Sequence, residues 1–132
     1  MTRDEHCPPH VHVGRDNWNA RFLFSFCRNE VDLWDVTPVH MTPSASVLED
    51  LRRIIEKSVN LRKARQCWWQ VHSGKLRTCL SNKYWDTLAL EEVDGKNAKS
   101  GMLQIQSESY DPASQRTTLT FVGGGESLEI QL

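Results

Sequence analysis

No apolar run in this chain of 132 residues reaches the length of a bilayer crossing, so a transmembrane helix is not expected. The N-terminus is acidic and proline-bearing where a secretory leader would be basic and then apolar, and the expected location is therefore the cytosol. Cysteine is sparse. Cys7, Cys27, Cys67 and Cys79 form no C-x-x-C pair and are too few for a disulfide scaffold. Free thiols in a reducing compartment are the expectation, although four cysteines permit two disulfides. The chain also lacks internal repeats and has no low-complexity tract beyond Gly123-Gly124-Gly125. That triplet has neither the lysine nor the following helix of a phosphate-binding loop, so it reads as a turn.

What remains is ordinary globular material, with 39% hydrophobic and 25% charged residues in a length suited to one core. The near-zero net charge of -1 conceals a segregation. Residues 51–83 carry +8, whereas residues 1–50 carry -4 and residues 84–132 carry -5. A basic middle third is the pattern of a polyanion-binding stripe, and equally of a solvated helix face neutralised by acidic flanks.

Periodicity predicts an α+β chain. His10 to Val13 alternates, Gly14-Arg15-Asp16-Asn17 is turn-like, and Ala20, Phe22, Phe24 and Phe26 share one face of a second strand. Val31 to Val36 offers a third strand, with Val31 and Leu33 on one face, and the three together predict an antiparallel hairpin or three-stranded sheet. A helix is expected from Thr42, with Pro43 in its first turn and Ser46-x-x-Glu49 as a capping box. Val47, Leu48, Leu51, Ile54, Ile55, Val59 and Leu61 form its apolar stripe. Arg62 and Arg65 fall within that stripe if the helix is unbroken. Either it breaks near Ser58-Val59-Asn60, with Asn60 as the new cap, or those arginines line a polar pocket. His72-Ser73-Gly74 ends the helical region, Tyr84 to Val93 is a strand or short helix, and Met102–Gln106, Thr117–Val122 and Ser127–Leu132 are antiparallel strands. A single domain over 1–132 is expected, made of a β-β-β-α part (1–73) and an acidic, strand-rich part (74–132).

Three groups of residues carry candidate chemistry. His10 and His12 are two apart on a strand and so share one face, a geometry suited to a metal or a phosphate. Cys7, His10 and His12, completed by Cys27 or His40, are the weak candidates for zinc, but their spacing matches no standard zinc pattern and no cofactor is the working expectation. The H-x-H with Asp16 four residues on is similar to the cupin motif, without that motif's glycines. Alternatively, His10 and His12 act as acid and base on an RNA phosphodiester with Arg62, Lys63 or Arg65 holding phosphate. Against both stands the plain possibility that they occupy a solvent face while Val11 and Val13 fill the core. The third group is Arg52, Arg53, Lys57, Arg62, Lys63 and Arg65 beside Trp68 and Trp69, the basic and aromatic mixture that suits a protein partner or single-stranded nucleic acid.

The string Glu5-His6-Cys7-Pro8-Pro9-His10-Val11-His12-Val13, followed by Asn19-Ala20-Arg21-Phe22 and a long helix ending in tryptophan, resembles the domain-of-unknown-function 4160 family over residues 4–72. That resemblance implies a short protein encoded beside a small partner, in an arrangement like a toxin–antitoxin module. It supplies no catalytic residue, and the last 60 residues depart from it. The leading expectation is thus a non-enzymatic interaction protein of a toxin–antitoxin-like or phage–host conflict system. An RNase-type toxin and a nucleic-acid-binding regulator are the alternatives.

Overall fold

The computed structural model describes residues 7–15, 17–72 and 78–132. The chain is α+β, as expected: an antiparallel three-stranded sheet, two helices and a C-terminal antiparallel sheet. Its contacts divide it into two compact units, Met1–Ser25 with Asn29–Arg65, and Phe26–Arg28 with Gln66–Leu132. The division falls inside the second helix rather than at residue 73.

In the first unit, strands β1 (His10–Arg15), β2 (Trp18–Phe24) and β3 (Val31–Thr37) run in the order β1-β2-β3. The aromatic alternation of β2 does what its period requires, burying Ala20, Phe22 and Phe24 on one face. In β3 the alternation fails. Phe22 pairs with Leu33 but Arg21 pairs with Asp35, so Trp34 is an extra residue between them. This bulge lets Val31 and Val36, an odd number of positions apart, both be buried, and it turns Asp35 toward the opposite face with Trp34. Leu33, expected inside, is 40% exposed.

Helix α1 (Ala45–Glu56) starts on Ser44, whose hydroxyl accepts from Val47 N at 3.3 Å. The expected capping box at Ser46 does not form, because Glu49 is drawn instead to Arg52 and Arg53, 2.8 and 3.0 Å away. Pro43 precedes the cap rather than entering the first turn. The chain leaves helical geometry at Lys57 and resumes as α2 (Ser58–His72). The expected break is therefore present, but Asn60 serves the helix behind it, its side-chain amide donating to Ile54 O at 2.7 Å. Glu56 ties α1 to the sheet by accepting from Val31 N at 3.0 Å. Among the described residues no helix is long and apolar enough to cross a membrane.

The second unit holds β4 (Tyr84–Asp86), β5 (Glu91–Val93), β6 (Leu103–Asp111), β7 (Arg116–Phe121) and β8 (Leu128–Gln131), ordered β5-β4-β6-β7-β8. Its core is Cys27, Leu80, Trp85, Ile105, Leu119 and Phe121, with Leu128 and Ile130 packed against it. Strand β6 runs longer than expected and carries a second bulge between Ile105 and Ser107. The bulge reverses the alternation. Ile105 is buried before it and Glu108 and Tyr110 after it, so a carboxylate is turned into the core. The three glycines linking β7 and β8 all have φ between 83° and 99°, the left-handed region that side chains disfavour, which confirms a turn.

The cysteine expectation fails for half the set. Cys7 and Cys79 are disulfide-bonded, while Cys27 and Cys67 remain thiols.

Candidate functional site

The solvent face of the N-terminal sheet is built by register. His12 pairs with Arg21 and Arg21 with Asp35, so these three form a row across β1, β2 and β3, and His10 follows two residues along β1. The same alternation that buries Phe22 sends Arg21 outward. Trp34, next after Leu33, takes the outer face by the same alternation, and the β3 bulge adds Asp35, a side chain that uninterrupted alternation would have turned inward.

These five side chains hold one another. The imidazole centroids of His10 and His12 are 5.0 Å apart in an edge-on arrangement, and His10 meets the Trp34 ring edge-on at 5.3 Å. The Arg21 guanidinium lies over the Trp34 ring, 3.9 Å from its centroid, in a cation–π contact. It also grips Asp35 with two nitrogens, one of them Nε donating to Oδ1 at 2.8 Å. The hydrogen bond from Arg21 holds the Asp35 carboxyl below its usual range against the opposing effect of burial, and the charges of Arg21, His10 and His12 add to it. Nδ1 of His10 lies 2.8 Å from Pro8 O. A carbonyl only accepts, so Nδ1 carries the hydrogen and the lone pair of the neutral ring sits on Nε2. His12 is exposed, while Val11 and Val13 are half-buried on the other face.

The zinc set expected from the sequence does not assemble. Cys7 is in a disulfide and has no thiolate to offer. Cys27 is buried in the second unit, where desolvation first and the charges of Glu92 and Glu108 next push its thiol well above the usual value and keep it protonated. Among the described residues no group of three or more His, Cys, Asp or Glu is placed to hold a metal ion. Glu5, His6, Asp16, Ser73, Gly74, Lys75 and Arg77 lie outside the described residues, and with them the cupin-like spacing and the expected helix stop.

The basic stripe is dispersed by folding. Arg52 is bound by Glu49 and Glu56, each at 2.8 Å, and Arg53 by Glu49. The Glu49 carboxyl is accordingly drawn down to about 2, chiefly by its hydrogen bond with Arg52. Arg65 is 1% exposed, its Nε donating to Ser25 O at 2.8 Å and its Nη2 to Asn29 Oδ1 at 3.0 Å. It is an internal clamp of the first unit and not a surface contact, since its guanidinium supplies the partners that the chain turning after β2 needs. Lys57, Arg62 and Lys63 are exposed.

The adjacent tryptophans diverge, as residues one apart on a helix must. Trp69 packs against Phe26 and Tyr110, with centroids 5.9 and 6.4 Å away, and is a packing residue of the second unit. Trp68 is half-buried and stacked on His72 at 4.1 Å. Sequence reasoning singled out His10 and His12 but missed Arg21, Trp34 and Asp35. Arg21 and Trp34 are legible in principle as the outward neighbours of Phe22 and Leu33, whereas Asp35 depends on a bulge that no local pattern announces.

Comparison with family models, with curated proteins and with solved structures finds no match to this chain.

Proposed function

We propose that the protein acts by binding, as a non-enzymatic interaction protein of a toxin–antitoxin-like or phage–host conflict system located in the cytosol. Its resemblance to the domain-of-unknown-function 4160 family points the same way. The partner, a protein or nucleoprotein, is taken by the outer face of the N-terminal sheet. One observation carries this reading: Arg21 is laid across Trp34 and clamped by Asp35 on the solvent side of the sheet. Tryptophan and arginine dominate interface hot spots, and side chains already held in place lose little freedom on docking. The core gains nothing from this arrangement.

Affinity capture from the native host tests the idea. The wild-type chain is expected to retain a partner that Trp34→Ala releases, at unchanged far-UV circular dichroism. Capture of nothing, or equal capture by Trp34→Ala, would sink the reading.

A second reading rests on the pair His10 and His12, whose rings adjoin Arg21 as the acid, base and cation of an RNase would. It expects growth arrest on expression that disappears in both His10→Ala and His12→Ala. Toxicity unchanged in both variants ends it. Nucleic-acid binding through residues 51–83 has less support, because Arg52 and Arg53 are neutralised and Arg65 is internal.

A further inference from the structure

We propose that His10 and His12 chelate one divalent transition ion of the zinc, nickel and copper class. Three independent features of β1 converge on this, and none depends on the partner reading.

The first is spacing. Imidazole nitrogen binds such ions at about 2.0–2.1 Å, which sets the ion roughly 3.2 Å from each ring centroid. Two rings 5.0 Å apart then subtend roughly 103° at the ion, close to the tetrahedral angle. Strand geometry brings the two rings to this separation, because residues two apart project from the same face and their side chains diverge little.

The second is orientation. A ligating histidine ordinarily donates its other ring N–H to a carbonyl or carboxylate, which fixes the tautomer and raises the basicity of the ligating nitrogen. Pro8 O does this for His10 at 2.8 Å, so that Nε2 carries the lone pair. The site is thus supported by the backbone as well as by its own side chains.

The third is charge. A dication beside Arg21 alone would be repelled, but Arg21 is paired with Asp35, and the Asp35 carboxylate lies close enough to interact with both histidines. Asp35 compensates the ion's charge while staying committed to Arg21, so it is not a ligand.

Imidazole selects zinc, copper and nickel over magnesium and calcium, which prefer oxygen. Two imidazole nitrogens are the donors that the described residues supply, and zinc of this class takes four ligands in all.

Isothermal titration of the full chain with zinc, repeated with copper, tests the assignment. The expected result is one ion per chain, with affinity reduced about tenfold or more in His10→Ala and again in His12→Ala, and retained in His40→Ala and His72→Ala. Copper at this site should also quench Trp34, whose ring is 5.3 Å from His10, and Trp34→Phe should remove that part of the quenching. His10→Gln and His12→Gln serve as replacements if an alanine variant is poorly folded. Absence of binding, affinity unchanged in both histidine variants, or quenching that survives in Trp34→Phe would overturn the proposal.

Discussion

Replacing Glu108 by glutamine is expected to flatten the pH dependence of stability and to make the protein more stable than the parent by about 1–2 kcal/mol above neutral pH. Glu108 is 7% exposed, and Leu80 N donates to its Oε1 at 3.3 Å, while among the described residues no such donor meets Oε2. Burial pushes its carboxyl from 4.5 up to about 7, against the hydrogen bonds of Thr78 and Leu80, with Glu92 reinforcing the rise and Lys83 opposing it. Cys27 faces the same carboxylate but stays protonated. The folded state therefore holds the Glu108 proton more tightly than the unfolded chain does. Its contribution is greatest below 4.5, is lost as pH rises through about 7, and is constant beyond. The difference of 2.5 between those values corresponds to about 3 kcal/mol across that window. Glutamine keeps the acceptor for Leu80 N and removes the charge, but leaves an amide where Oε2 stood, so the gain is smaller than the full penalty. Urea unfolding midpoints over the neutral range, parent against Glu108→Gln, measure both effects. Equal slopes in the two proteins would show that another group governs the titration.

Glu108 also shows why parts of this fold are legible in the sequence and others are not. The alternation of Ala20, Phe22 and Phe24 is a local statement about period and the structure buries those residues, whereas of the expected helical stripe it buries Leu48 and Leu61 but leaves Val47, Ile54 and Val59 exposed. The two bulges are not local statements. Each inserts one residue against a partner strand, and the extra position becomes visible only when both strands are paired. Past the bulge every inference about faces inverts, which buries Val36 beside Ala20 and sends Glu108 into the core, whereas Leu33 lies before its bulge and nothing in the register explains its exposure.

The same holds for pairing over distance. Ser46 and Glu49 have capping-box spacing, but Arg52 and Arg53 compete for the carboxylate and Ser44 takes the cap. The cysteine spacing likewise carried no trace of which thiols are oxidised. Of the candidate site, the shared face of His10 and His12 followed from strand period alone. Gathering Arg21, Trp34 and Asp35 beside them required the register of three strands.

Arg65→Ala is expected to destabilise the protein by about 3–5 kcal/mol, whereas Arg62→Ala, three residues earlier on the exposed side of α2, should change stability by less than about 0.5 kcal/mol. The asymmetry follows from what each guanidinium touches. Arg65 heads the fully buried side chains by volume, and removing it leaves a cavity and strips a donor from the buried Ser25 O as well as from Oδ1 of the exposed Asn29. Lysine at this position places one compact charge where a fork bridged two acceptors, so Arg65→Lys should recover only part of the loss. The measurement is a urea or thermal midpoint for each variant. It also separates two roles that the sequence left open, because an arginine serving a phosphate would lose affinity at unchanged stability. A loss below about 1 kcal/mol for Arg65→Ala would return this residue to the basic surface and strengthen the nucleic-acid reading. A loss of the expected size leaves Arg53, Lys57, Arg62 and Lys63 as the exposed cations of this stretch among the described residues, with Arg53 shared by Glu49.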